Sequence, residues 1–422
     1  MRYYKHRQPP GWRCLCAFDA CLKPERIAAN EFAGMIRPIS LPPSSFPLPV
    51  WYNQQKCWFG LESISVSYSL TLGPFHPAWR GPQRFIMDLE GETITNIDYH
   101  NGMNERGCAD RISRIPLSQA FTLVPRICGT CGHAHMMAFC QAIETLTNTP
   151  VPMRAQLIRM IVVELERMGM NLAGAANLCS VVGVEHHAKA LRTLQQATNT
   201  LLLELITSRS APNIIMPGGL AYNPPGHALS LIQTGITQLT KQLYAVIDTI
   251  IDNRNLLART VEIGTLANNA VAQLEIGGII ARASGITRDL RFDMPYAAYQ
   301  RLDVNRVVQA GGDVYARLIV MLLESHESAK MVEQSQRLLK TGPCEGDMPL
   351  LTTGIASGSV EAPRGLLTYI ISSDGVRITQ CEILMQRQLD RLLSRSLLLN
   401  AQLDDLLPII ASTDTCTACA EC

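Results

Sequence analysis

Two Cys-x-x-Cys pairs constrain this chain more than any other feature: Cys128 and Cys131 in RICGTCGHAH, and Cys416 and Cys419 in DTCTACAEC. Cys128 and Cys416 stand 288 residues apart. If the four thiols serve one metal, the last segment must return to the place where the helical part begins. A short zinc loop supplies its second pair within roughly twenty residues. Here the thiols between the pairs, Cys140, Cys179, Cys344 and Cys381, each stand alone. A site assembled over such a separation reads as a buried cofactor bound between elements, because a chain of 422 residues has ample core without a metal staple.

Composition limits what the cysteines can be. Fourteen of them without an apolar leader after the basic start MRYYKHRQPPGWRC argue for reduced thiols and against a disulfide framework. With 47% hydrophobic residues the chain is globular, and 17% charged residues is low enough to suggest a surface partly covered by partners. A net charge of +1 without basic runs leaves no electrostatic footprint for nucleic acid. Apolar stretches such as LYAVIDTIIDNRNLL are broken by charges before reaching the roughly 18 residues of a membrane span. The expected location is cytoplasmic.

Periodicity predicts an α+β, mainly α fold: a central bundle of long helices beside a smaller α+β portion. Residues 1–64 are Pro-rich, without a sustained period, and read as an extension in which Cys14, Cys16, Cys21 and Cys57 are scattered. Residues 65–422 read as the catalytic domain. VSYSLTLGP through RFIMDLEGETITNIDYH alternates as strands do. Met153–Val182, Ala228–Val261 and Val304–Leu339 repeat apolar residues at helical spacing. A second β-like piece, GLLTYIISSDGVRITQCEIL, follows EAPRG, and helix returns over Gln386–Leu407.

Four thiolates suit a structural zinc ion, nickel, iron or an iron-sulfur cluster equally well on ligand type alone. The motifs go further. RICGTCGHAH resembles the RxCGxCxxxH signature of [NiFe]-hydrogenase large subunits, and DTCTACAEC resembles their C-terminal DPCxxCxx(H/R). GPFHPAWRGPQRF, GMNERG, PVPMRAQLIRMIVVELER, IIMPGGL, SGITRDLRFDMPYAAYQ, GDVYARLIVMLLESHESAKMVEQ and EAPRGLLTYIISSDG resemble the fold shared by the quinone-side catalytic subunit of complex I and the energy-converting hydrogenases. The resemblance covers about residues 66–422. The complex I subunit lacks the thiol pairs, so their presence favours a metal, as does Arg364 where its relatives look more often lysine-like. Gly81 stands where related hydrogenases carry a proton-accepting glutamate, and there complex I also has glycine.

The resemblance implies a nickel-iron centre with CO and CN on iron. Cys128 and Cys416 would be terminal nickel ligands, and Cys131 and Cys419 would bridge nickel to iron. Arg364 would donate hydrogen bonds over the centre. His135 would orient the first loop. His133 is a candidate substitute proton carrier or a plain polar loop residue, Glu144 a packing carboxylate or a relay group, and His76 a turn residue near the quinone-side loop. Cys422 takes the place of the motif's His or Arg and is expected beside the metals without binding nickel, while Thr415 replaces a proline and loosens the turn. The family commonly loses a tail beyond this motif, so a sequence ending at Cys422 reads as a mature or truncated form, or as one that inserts nickel without proteolysis. No iron-sulfur cluster is expected in this chain, so a small iron-sulfur subunit is the expected electron partner. Membrane-embedded complex I-like subunits are expected further away, with this chain on the inner face. The alternatives are a complex I-like quinone-site subunit without hydrogenase activity and a structural four-cysteine zinc scaffold.

Overall fold

The computed structural model describes residues 67–206 and 214–422. The extension expected over 1–64, with its four cysteines, lies outside them. The described part opens with an antiparallel sheet of β1 (Ser67–Leu72), β2 (Arg84–Glu90) and β3 (Thr93–His100). Phe85, Met87 and Leu89 alternate inward along β2, as the period-2 pattern requires. Two short helices, α1 (Cys108–Arg114) and α2 (Leu117–Leu123), and a single 3-10 turn (Val124–Arg126) lead into α3 (Gly132–Thr147).

The bundle is made of α4 (Met153–Val181), α5 (Glu185–Leu205), α6 (Gly226–Ile251) and α11 (Val314–Leu338). Helix α4 starts behind Pro152 and ends before Gly183, whose φ of 81° lets the chain leave the helix. At 1.5 Å per residue its 29 residues span about 43 Å, and it is buried on nearly every side. Between α5 and α11 lie the two-stranded β4 (Ile215–Met216) and β5 (Gly219–Leu220) and the short helices α7 (Arg254–Ala258), α8 (Asn268–Gln273), α9 (Gly278–Ala283) and α10 (Leu290–Asp293). A second antiparallel sheet, β6 (Thr353–Ala362), β7 (Gly365–Asp374) and β8 (Ile378–Met385), packs on α3, which thus lies between sheet and bundle. The chain closes with α12 (Arg391–Leu398), α13 (Leu403–Thr413) against α4, and α14 (Thr417–Ala420).

The mainly helical α+β expectation holds, with corrections at the ends of elements. Of the predicted helix Ala228–Val261, the structure makes two, because Asn253 accepts a hydrogen bond from Leu256 N and starts a new helix. The predicted start at Val304 moves to Val314, where Asp313 caps Ala316 N after Gly311 and Gly312. Gln386–Leu407 is interrupted at Asn400, which takes a left-handed φ of 65°. Helix α5 and strand β6 were not expected.

Candidate metal centre

The thiol pairs meet. Cys128 follows the 3-10 turn, and Cys131 is the residue from which α3 departs; Cys416 is the residue from which α14 departs. Cys128 Sγ lies 3.8 Å from Cys416 Sγ, and Cys131 Sγ lies 2.9 Å from Cys419 Sγ. All four side chains are buried. Sulfurs on a tetrahedral ion with bonds of about 2.3 Å stand roughly 3.8 Å apart, which is the Cys128–Cys416 separation, whereas Cys131 and Cys419 stand closer together than such an ion would hold them.

The cluster favours anionic sulfur. Hydrogen bonds from Cys128 and Cys419 bring the Cys131 thiol down to about 6, while burial works against them. The Cys128 thiol is raised by its bond to Cys131 but lowered further by those with Cys416 and Cys419, and also falls to about 6. The Cys419 thiol is pushed well up by the bonds to Cys128, Cys131 and Cys416. Thiolates are the form that binds a metal.

Arg364 is no surface residue. With Pro363 it makes the two-residue turn between Ala362 and Gly365, which pair across the β6–β7 hairpin, and the turn is driven into the protein. Its Nε donates to the Asp414 carbonyl, its Nη1 lies 3.4 Å from Thr130 Oγ1, and its Nη2 lies 3.0 Å from Asp414 Oδ2. That last pair is not aligned for a hydrogen bond, so Nη2 is a buried donor without an acceptor. Burial opposes the guanidinium charge, but Asp414 and the cysteine sulfurs of Cys416, Cys131 and Cys419 outweigh it and raise its pKa. An orphaned donor beside four cysteine sulfurs fits an acceptor ligand carried by a metal.

Several residues that hold the halves together were not legible in the sequence. Arg106, from GMNERG, donates to the carbonyls of Ile127 at 2.6 Å and Ala418 at 3.1 Å, so one guanidinium ties both motifs. Asn104 reaches Thr417 Oγ1 and Glu421. Gln388 accepts from Cys416 N, and Arg80 bridges to Asp414 at 3.4 Å. Their partners lie up to 317 residues away, and no local pattern announces such bonds.

The histidines are not loop residues. Both lie in the first turn of α3: His133 Nδ1 meets Glu166 at 2.8 Å, and His135 Nδ1 meets Tyr369 Oη at 2.8 Å. Burial lowers the His135 pKa. Glu144 sits about 14 Å beyond His135 along α3 and forms an ion pair with Arg159 while accepting from Gly218 N, a packing role away from the paired thiols. His76 stacks on Trp79 and accepts from Ala78 N. Cys422 Sγ donates to the Cys419 carbonyl at 3.2 Å, and burial pushes its pKa up to about 12. The Thr415 turn is tied by a 2.9 Å bond between its hydroxyl and that of Thr413. Gly81 has a φ of 78°, and a Cβ there would stand 1.9 Å from Thr417 Oγ1, so no side chain fits at this position.

A cavity of about 310 Å³ reaches the cluster at Cys128. Its polar wall includes Arg80, Thr130, His133 and Glu166, and its apolar wall includes Met170 and Leu202.

Comparison with known proteins follows the same division. Residues 106–171 match the nickel-dependent hydrogenase family, and residues 194–353 match the family described as respiratory-chain NADH dehydrogenase, 49 Kd subunit. A carbon monoxide-induced hydrogenase of Rhodospirillum rubrum is 29% identical over 364 residues, covering 84% of this chain and 99% of that protein. An NADH-quinone oxidoreductase subunit of Rickettsia bellii is 29% identical over 352 residues, covering 76% of this chain and 90% of that protein. Among solved structures, a chain of the membrane-bound sulfane sulfur reductase, an archaeal respiratory membrane complex, superposes with a TM-score of 0.79 at 24% identity. It covers 84% of this chain and 98% of its own, and shows the shared fold.

Proposed function

We propose, for a chain that resembles both the nickel-dependent hydrogenases and the 49 kDa subunit of respiratory NADH dehydrogenase, that it is the catalytic large subunit of a [NiFe]-hydrogenase of the complex I-like group. The reaction is the reversible conversion of H2 to two protons and two electrons. The observation that carries this reading is a cavity that opens an otherwise buried four-thiol cluster at Cys128. A structural zinc site is closed, whereas a catalytic site keeps an approach to its metal.

Cys128, Cys131, Cys416 and Cys419 would together hold the nickel-iron centre. The shortest separation belongs to Cys131 and Cys419, the pair expected to bridge. A nickel-iron centre with CO and CN on iron supplies the cleavage of the H–H bond. The residues of the chain supply its surroundings. Arg364 presents a buried positive charge and a free donor, fixed by Asp414 and therefore already oriented when charge changes at the site. Gly81 itself carries no proton acceptor, and a side chain there would have to displace Thr417.

Residues 65–422 act as one catalytic domain. Electrons leave through a small iron-sulfur subunit, because Cys108, Cys140, Cys179, Cys344 and Cys381 are dispersed single thiols without cluster spacing among the described residues. Membrane-embedded subunits complete the assembly, with this chain peripheral on the inner face. Among the described residues no helix is long and apolar enough to cross a membrane. The NADH-quinone oxidoreductase relative and the respiratory membrane complex support that placement.

Protein matured in its own host is expected to contain nickel and iron in about equal amounts and to show CO and CN infrared bands. Zinc alone without those bands would falsify the hydrogenase assignment and leave the scaffold. Absence of any bound metal would leave the quinone-site alternative.

A further inference from the structure

Helix α3 begins directly at Cys131, and that residue gives it no side-chain cap. The first N–H groups of a helix have no partner within it, and buried ones must find an acceptor elsewhere. Here the acceptor comes from α4. Glu166 takes the His133 N–H on Oε1 and the Ala134 N–H on Oε2, each at 3.0 Å, and the His133 Nδ1 at 2.8 Å. The carboxylate is 7% exposed, and His133 is the one ion-pair partner it shows among the described residues. A buried negative charge is costly unless something repays it, and the positive end of α3 with two aligned N–H groups does so. Glu144 joins the same two helices at the other end of α3 through Arg159 on α4. Glu166 and Glu144 thus staple one antiparallel pair at opposite ends, and only the first lies beside the two Cys-x-x-Cys pairs.

We infer that Glu166 is a positioning residue for the metal centre: it caps α3 from α4 and thereby fixes the backbone from which Cys131 meets Cys419. The inference rests on the four thiols binding a metal, and deepens that reading. Neutralising Glu166 leaves no orientation of an isosteric amide that accepts from both N–H groups, since one of them must face an NH2. The turn after Cys131 then loosens while the rest of the helix stays paired.

The test is Co(II) titration of the full chain, followed by thiolate-to-cobalt absorption, for wild type, Glu166→Gln and Glu144→Gln. The expected result is at least tenfold weaker binding for Glu166→Gln, within the 10–100-fold range typical when a group supporting a metal ligand is lost. Glu144→Gln is expected to lower the melting temperature yet bind Co(II) within twofold of wild type, which separates positioning from general stabilisation of α3. Hydrogen exchange is expected to accelerate at His133 and Ala134 in Glu166→Gln only. If Glu166→Gln does not fold, Glu166→Asp carries the comparison, with a loss of threefold or more expected. Unchanged affinity in the Glu166 variant that folds, or an equal loss in Glu144→Gln, overturns the inference alone. A wild-type chain that binds no Co(II) overturns it together with the metal reading.

Discussion

Arg364, Gly81 and Cys422 show how much one side chain decides at this centre. Arg364→Lys keeps a positive charge but replaces a planar fork, held from two directions by Asp414, with a single mobile ammonium. H2 turnover is expected to fall at least about tenfold at normal nickel content; unchanged turnover would return Arg364 to a structural turn. Putting back a carboxylate by Gly81→Glu is expected to damage the site, because the left-handed backbone costs roughly 1–2 kcal/mol for a residue with a Cβ, and that Cβ collides with Thr417. Metal content after maturation measures it, and a Gly81→Glu protein with full nickel would show that the Thr417 helix can yield. Cys422 is hydrogen-bonded to the carbonyl of Cys419 and not to any of the four paired thiols. Cys422→Ser should therefore retain nickel while Cys419→Ser loses it, and equal loss from both would place the pocket in the wrong register.

At the scale of elements, the pairing of helices with strands was legible where burial repeats along the chain and illegible where a single polar residue intervenes. Helix α4 was readable to within a residue because its apolar positions recur over eight turns. The late start of α11 turns on Asp313, one cap after two glycines. Strand β6 hides because TGIASGSVEA has few large apolar residues: α3 comes so close that a Cβ on Gly358 would stand 2.2 Å from the Ala138 carbonyl, leaving space only for small side chains. The thiols of the site were legible by their spacing. Arg106, Asp414, Glu166 and Gln388 were not, since each acts on a partner brought in by the fold. Arg106→Ala frees two carbonyls on two elements and is expected to cost about 1–3 kcal/mol and lower metal retention with the helical content unchanged by circular dichroism. On α11, burial raises the Glu327 carboxyl, but bonds from His326, Lys330 and Asn305 N bring it down from 4.5 to about 2. A depressed carboxylate stabilises above its unfolded value and loses that stability as pH falls through its folded one. Glu327→Gln should thus destabilise by about 1–2 kcal/mol at pH 7, allowing for screening, with the difference vanishing between pH 4.5 and 2. A gap that persisted at pH 2 would assign the loss to packing.

Over the whole molecule, the metal proposed for the four thiols would link segments that the covalent chain leaves far apart. Removing it is expected to lower the melting temperature, because a ligand bound only by the folded form stabilises it. Hydrogen exchange should then quicken together over 126–135 and 403–422, regions tied by Arg106, Asn104 and Gln388. Independent exchange of the two would mean that these hydrogen bonds, without metal, carry no cooperativity. The separation of Cys128 from Cys416 also has a consequence in time. Bringing together points 288 residues apart costs about 5 kcal/mol of loop entropy by polymer scaling, before any contact made there can repay it. The bundle, built largely from neighbours such as α4 and α5, can close earlier. A nascent chain whose bundle closes first would frame Cys128 and Cys131 with folded helices before Cys416 and Cys419 arrive, and the length of that interval would set how long a metal ion has to enter before the door shuts.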